Sequence, residues 1–170
     1  IELDVSPNLA LDNYTLDKIT YLVNGEKKTI EINVRIDLQF YKDINSIEDW
    51  QKISSKVAEN YRLNTDLDFS NILEINHDVM INRLEGTGNG YTIKNITITD
   101  QATWHLIKSV SASLNKVTFE NISLTDSSKT IPQSDRKYAI IELANYANIT
   151  NVNFKNITIQ PYNSSYVGCI

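Results

Sequence analysis

With a single cysteine, Cys169, among its 170 residues, the chain cannot close a disulfide within itself, so its fold has to be held by a packed core. Histidine is almost as scarce. His77 and His105 stand far apart, and nothing in the sequence offers the four closely spaced Cys, His or carboxylate ligands of a structural zinc site. No run of 18 apolar residues occurs, and no charged stretch leads into a shorter apolar one, so these residues carry neither a spanning-helix pattern nor a leader pattern. Basic charge is also lacking. With 16 Lys and Arg against 21 Asp and Glu the net charge is -5, and no basic stripe is interleaved with aromatics, which argues against nucleic acid as a partner.

What is present is an ordinary globular balance: 41% hydrophobic and 22% charged residues exclude a disordered tail. The length suits one domain with a core, or one domain plus a small appendage. Residues 1–42 read as a β segment, "IELDV", "KITYLV" and "KTIEINVRIDLQF", the last with Ile30, Ile32, Val34, Ile36, Leu38 and Phe40 in strict alternation. Asn24-Gly25 between the last two strands is the dipeptide of a type I′ hairpin, whose two central residues both need positive φ. Residues 43–170 form the second region. Ser46 as N-cap, Asp49 three residues on, and Trp50, Ile53 and Val57 on one face predict a capping helix over about 47–59. From Tyr61 onward only strand signals follow, and Trp50 and Phe69 read as core.

Beyond residue 90 the chain repeats. VTFENISLT at 117–125 returns as VNFKNITIQ at 152–160, and YTIKNITIT at 91–99 is a third form. An offset of 35 pairs Leu114 with Ile149, Val117 with Val152, Phe119 with Phe154, Asn121 with Asn156, Ile122 with Ile157 and Leu124 with Ile159. Asn95 precedes Asn121 by only 26, and the extra 9 residues of the next interval fall in a polar, proline-containing stretch. That stretch, 126–137, is a candidate recognition loop presenting Lys129, Asp135, Arg136 and Lys137, stiffened by Pro132.

Within each copy the apolar alternation slips by one. Val117 and Phe119 share a parity that Ile122 and Leu124 do not, and one flat strand cannot bury both pairs. A corner at the intervening asparagine can. Asn tolerates the left-handed conformation, and stacked Asn side chains can hydrogen-bond as a ladder, so Asn95, Asn121 and Asn156 are assigned as structural corners. Asn13, Asn95, Asn121, Asn148, Asn156 and Asn163 also satisfy the N-glycosylation triplet, but three of them recur at the corner, before an isoleucine that reads as buried. Strand, corner, strand and loop without intervening helices predict an all-β fold: a right-handed parallel β-helix with one capping helix, preceded by a small antiparallel segment.

Chemistry is sparse. Gly86, Gly88 and Gly90 in "EGTGNGYT" have neither dinucleotide-loop nor Walker spacing and lead into a strand, so a turn is expected. Asp66 and Asp68, two apart beside Leu67 and Phe69, read as outward, solvated positions rather than paired catalytic carboxylates or calcium ligands. His105, beside Trp104, could be a ligand or part of a sugar platform. Without an acidic or His partner near it in sequence it reads as a loop or edge histidine.

The segments "FYKDINSIEDWQKI", "NYRLNTDLDFSN", "INRLEGTGNGYTIKNITI", "LIKSVSASLNKVTFENISL" and "IIELANYANITNVNFKNITI", together spanning about 40–160, resemble the GLUG-type β-helical repeats of Gram-positive surface proteins. More narrowly, they are similar to the N-terminal, non-catalytic region of large secreted immunoglobulin A-specific zinc metallopeptidases. The resemblance implies a substrate-recognition and spacing role, a secreted or wall-attached location, and immunoglobulin A or another host protein, with the parent's other domains, as partners. The zinc it implies belongs to an H-E-x-x-H helix in the parent, a motif this sequence does not contain, so no cofactor, metal ligand or catalytic residue is expected here. The chain starts without Met, and "YVGCI" repeats the start of "YAIIEL", which leads to the expectation of a piece from a longer protein. The alternative is an adhesin module binding glycan or host protein along a strand face. A β-helical lyase or hydrolase would need clustered charged residues on adjacent coils, and only scattered ones occur.

Overall fold

A computed structural model describes residues 12–36, 40–99, 103–125, 137–160 and 166–170. The chain divides into two compact units, Ile1–Phe40 and Tyr41–Ile170. In the first, β1 (Asp12–Val23) and β2 (Glu26–Ile36) pair antiparallel, with Val23 opposite Glu26. Asn24 and Gly25 turn between them at φ 51° and 85°, the two positive values that a two-residue I′ loop demands.

The second unit is built almost wholly of parallel strands. One sheet holds β3 (Lys42–Ile44), β4 (Glu59–Leu63), β6 (Val79–Gly86), β8 (Thr103–Asn115), β10 (Lys137–Ala144) and β13 (Tyr166–Gly168), with β11 (Asn148–Thr150) also pairing β8. The other holds β5 (Leu67–Asp68), β7 (Tyr91–Thr99), β9 (Val117–Thr125) and β12 (Asn153–Gln160). From β4 to β10 the chain passes alternately from one sheet to the other, and every pairing in both is parallel. Each sheet turns one apolar face inward. Here the core is Leu63, Ile81, Leu84, Trp104, Leu106 and Leu114 from the first sheet, facing Leu67, Ile93, Ile96, Phe119, Ile122 and Leu124 from the second.

The register follows the sequence repeat. Phe119 lies beside Ile93 on one side and Phe154 on the other, Ile122 beside Ile96 and Ile157, and Leu124 beside Ile98 and Ile159. Leu114 is likewise opposite Ile149. The Phe119 and Phe154 rings stack with centroids 5.3 Å apart and planes 12° from parallel.

The helix is much shorter than the 47–59 its apolar spacing predicts. Only α1 (Ile47–Trp50) is helical, capped by the Ser46 hydroxyl, which accepts from the Asp49 N–H at 3.3 Å. Two side chains stop it. The Asn76 amide donates to the carbonyls of Trp50 and Ile53 at 3.1 and 2.9 Å, occupying acceptors that the next helical turn would use, and the Ser54 hydroxyl accepts from the N–H groups of Lys56 and Val57. Val57 is consequently exposed, while Trp50 stays buried with its indole N–H donated to the Asn76 carbonyl at 2.9 Å. Among the described residues no helix is long and apolar enough to cross a membrane.

Candidate functional site

Two left-handed corners recur along the second sheet. Asn95, Asn121 and Asn156 have φ of 61°, 53° and 51°, and their side chains form a continuous column: Asn156 Nδ2 donates to Asn121 Oδ1 at 3.0 Å, and Asn121 Nδ2 to Asn95 Oδ1 at 3.1 Å. Asn95 Nδ2 then donates to Asp68 Oδ1 at 2.8 Å. The carboxylate accepts only, so it fixes the direction of the whole column: each amide must turn its NH₂ toward the Asp68 end and its oxygen away from it. Asn95, with the N–H and hydroxyl of Ser70 and the more distant Lys94 cation, holds the Asp68 carboxyl below the usual range. At these corners the phase slip resolves: Ile93 and Ile96, like Phe119 and Ile122, are buried on either side of the bend.

A second corner lies five residues earlier in each repeat, and sequence periodicity does not reveal it. Gly90, Lys116 and Asn151 take φ of 97°, 55° and 53°, three different residue types in one column. Its packing is close. A Cβ on Gly86 would stand 2.1 Å from the Lys116 carbonyl oxygen and one on Gly90 2.6 Å from the same atom. Gly86 and Gly90 therefore let one repeat seat under the next, and Lys116 Nζ donates to the Gly88 carbonyl across the turn at 3.0 Å. At the following repeat Asn115 Oδ1 accepts from Thr150 Oγ1 and Asn151 Nδ2 at 3.0 and 3.2 Å.

Asp66 and Asp68 are both exposed, yet each holds a neighbouring repeat: Asp66 Oδ1 accepts from the Thr92 N–H at 2.8 Å, as Asp68 Oδ1 does from Asn95. Of the recognition-loop residues, Lys129, Pro132, Asp135 and Arg136 lie outside the described residues. Lys137 opens β10.

His105 departs from expectation. It sits on β8, an interior strand between β6 and β10, and is 3% exposed. Its Nδ1 is 3.0 Å from Asp78 Oδ1 and 3.5 Å from Glu142 Oε2, so it carries the proton there. His77 Nδ1 meets the other Asp78 oxygen at 3.1 Å, so the two histidines of the chain converge on one carboxylate. Asp78 is itself held at φ 56° and donates its N–H to the His105 carbonyl at 2.7 Å. Parallel pairing supplies the partners: Asp78 precedes β6 and Glu142 lies on β10, and β6 and β10 flank β8 on its two sides. An open cleft of about 370 Å³ borders His105, Lys137, Glu142 and Gly168. The cluster can order a strand junction. Among the described residues no three His, Cys, Asp or Glu side chains are grouped to hold a metal.

The outer side of the second sheet is polar and regular. Register places Asp68, Lys94, Glu120 and Lys155 in one row of alternating sign, and Thr97, Ser123 and Thr158 in another. Strand spacing of about 4.8 Å sets the distance between members of a row. Such a face can meet a polar, extended partner by hydrogen bonds and paired charges. No family model matches the chain, and comparison with curated proteins and with solved structures returns no match.

Proposed function

We propose that residues 41–170 are a right-handed parallel β-helix with a non-catalytic role: spacing and recognition in a secreted or cell-surface zinc metallopeptidase that cleaves immunoglobulin A. The observation that carries the reading is the in-register stacking of 91–99, 117–125 and 152–160 on one asparagine column in an all-parallel sheet. Parallel crossovers are right-handed in about 98% of cases, which gives the hand of the coil. A rigid stack of this kind holds polar rows and loops at fixed spacing, the requirement for a spacer that also reads a partner. The resemblance of the segments across about 40–160 supplies the peptidase and immunoglobulin A part. Zinc and catalysis then belong to the parent's distant helix, and the partners here are immunoglobulin A or another host protein and the parent's own domains.

The polar rows of the second sheet favour the adhesin alternative equally well as to surface, with glycan or host protein as ligand. Purified chain tested against immobilised immunoglobulin A and a glycan array separates the two. Binding to immunoglobulin A, lost when 127–135 are deleted, is the expected result; binding to glycan alone moves the chain to the adhesin reading. Cleavage of immunoglobulin A by the chain alone, or one equivalent of zinc retained after dialysis, overturns the non-catalytic role.

A further inference from the structure

The turn at 86–90 interrupts an otherwise regular stack. Glu85 pairs with Asn115 and Tyr91 with Val117, so residues 86–90 occupy the place that Lys116 alone fills in the following repeat. The added residues stand out from the corner: Gly88 and Asn89 are exposed, the Gly90 N–H closes the turn on the Thr87 carbonyl at 2.9 Å, and Lys116 Nζ braces it from the next repeat. Beside the turn lies an open trough of about 370 Å³. Its floor is the outward row Thr92, Thr118 and Asn153, which strand pairing sets side by side at about 4.8 Å per step. Among the described residues, the hydroxyls of Thr92 and Thr118 and the side-chain amides of Asn89 and Asn153 make no hydrogen bond.

We propose that this trough binds a neutral, extended oligosaccharide of β-1,4-linked sugars lying across the strands. Hydroxyl and amide side chains both donate and accept, which matches the neighbouring hydroxyls of a sugar ring. An ionic ligand finds little there, because Lys116, the one charged residue lining the trough, already has its ammonium on the Gly88 carbonyl. A peptide strand is also poorly served. The floor is a sheet face: β7 and β9 each have a neighbour on both sides, and the Thr92 N–H is taken by Asp66 Oδ1 at 2.8 Å, so no backbone ladder is open to it. A β-1,4 chain advances by nearly one strand spacing per sugar, so successive rings meet Thr92, Thr118 and Asn153 in turn, whereas an α-1,4 chain curves away from a straight row. The turn at Gly88 and Asn89 walls one side and sets the position of the chain. The inference goes beyond the recognition of immunoglobulin A and does not rest on it; it gives the glycan of the adhesin alternative a defined place.

The test follows the amide NMR spectrum of the full chain during titration with cellohexaose, with maltohexaose as the curved control. The expected result is saturable shifts confined to 88–92, 116–118 and 151–153 with cellohexaose, and weaker binding of maltohexaose. Thr118→Val keeps a β-branched strand residue of the same shape and removes the central hydroxyl, so it should weaken cellohexaose binding by about three- to tenfold, the equivalent of one hydrogen bond. Thr92→Val repeats the measurement at a second hydroxyl should the first variant unfold. Thr97→Val, beyond the asparagine corner and outside the trough, should leave the affinity unchanged. Absence of cellohexaose binding overturns the proposal and leaves the immunoglobulin A reading standing. Shifts elsewhere on the chain, or an equal loss in Thr97→Val, overturn the site and leave the adhesin alternative standing. If the trough amides respond to immunoglobulin A and not to cellohexaose, the trough belongs to a protein partner and the proposal fails.

Discussion

Residues 117–125, which form β9, and 152–160, which hold β12, carry nearly the same nine-residue text and live in different surroundings. VTFENISLT has Val117, Phe119, Ile122 and Leu124 fully buried; in VNFKNITIQ the matching Val152, Phe154, Ile157 and Ile159 are half-buried. The chemistry of the side chains is not what differs. β9 lies between β7 and β12, whereas among the described residues β12 has a neighbour on one side. In a stack, burial belongs to the position and not to the repeat, so the same substitution should cost different amounts in the two copies.

The largest contrast is expected at the stacked rings. Phe119→Ala removes a ring enclosed on all sides and should destabilise by about 3–5 kcal/mol, the usual range for a buried Phe. Phe154→Ala leaves Phe119 packed on Ile93 and empties a site already open to water, so about half that or less is expected. Urea unfolding of both variants measures the ratio. Equal losses would mean that β12 is enclosed in solution, by a partner or by a second copy.

Next in size come the corners. Asn121→Val places a β-branched residue at φ 53° and removes an amide that both donates and accepts. About 1–3 kcal/mol should be lost, most of it from backbone strain, because the ladder itself is solvent-exposed. Asn156→Val meets the same strain but breaks one hydrogen bond instead of two, and should cost less. Asn121→Gly separates the terms: it relieves the strain and keeps only the loss of the amide. If Gly is as damaging as Val, the ladder and not the left-handed corner carries the energy.

These asparagines show how far the sequence can be read. The phase slip around Asn95, Asn121 and Asn156 is visible because it interrupts an alternation, and the paired apolar residues of 117–125 and 152–160 are visible because they repeat. The second corner is not, since Gly90, Lys116 and Asn151 share a conformation without sharing a side chain. The helix is over-read for a related reason. Apolar spacing sees Trp50, Ile53 and Val57, but the termination comes from Asn76, more than twenty residues away. His105 illustrates the same limit, because its partners Asp78 and Glu142 reach it through strand pairing and lie 27 and 37 residues off in sequence. Local periodicity reports faces; contacts across the stack have no local signal.

A smaller effect should appear at high pH, on the first sheet. Tyr61 is pushed up to about 12, chiefly by burial and further by its hydrogen bond to Glu59, whose own carboxyl is lowered mainly by Lys42 at 2.6 Å. A phenol whose value is raised on folding binds its proton more tightly in the folded state. Its contribution is complete below the ordinary tyrosine value of 10.0 and is lost as pH rises from there through about 12. Denaturation midpoints measured across that window should fall in the native chain. In Tyr61→Phe the fall should be shallower, and an unchanged slope would show that Tyr61 is open to solvent.

The smallest effect is predicted at the Asp68 end of the column. Folding lowers the Asp68 carboxyl, first through the Asn95 amide, so its contribution is present above the ordinary aspartate value of 3.8 and is lost as pH falls through the lowered one. Asp68→Asn removes that acid dependence, while its Oδ1 can still accept from Asn95 Nδ2 and preserve the direction of the ladder. At neutral pH the variant should unfold at nearly the native urea midpoint and should differ in slope only below about pH 4. An acid limb as steep as the native one in Asp68→Asn would show that the Asp68 carboxyl does not carry that dependence.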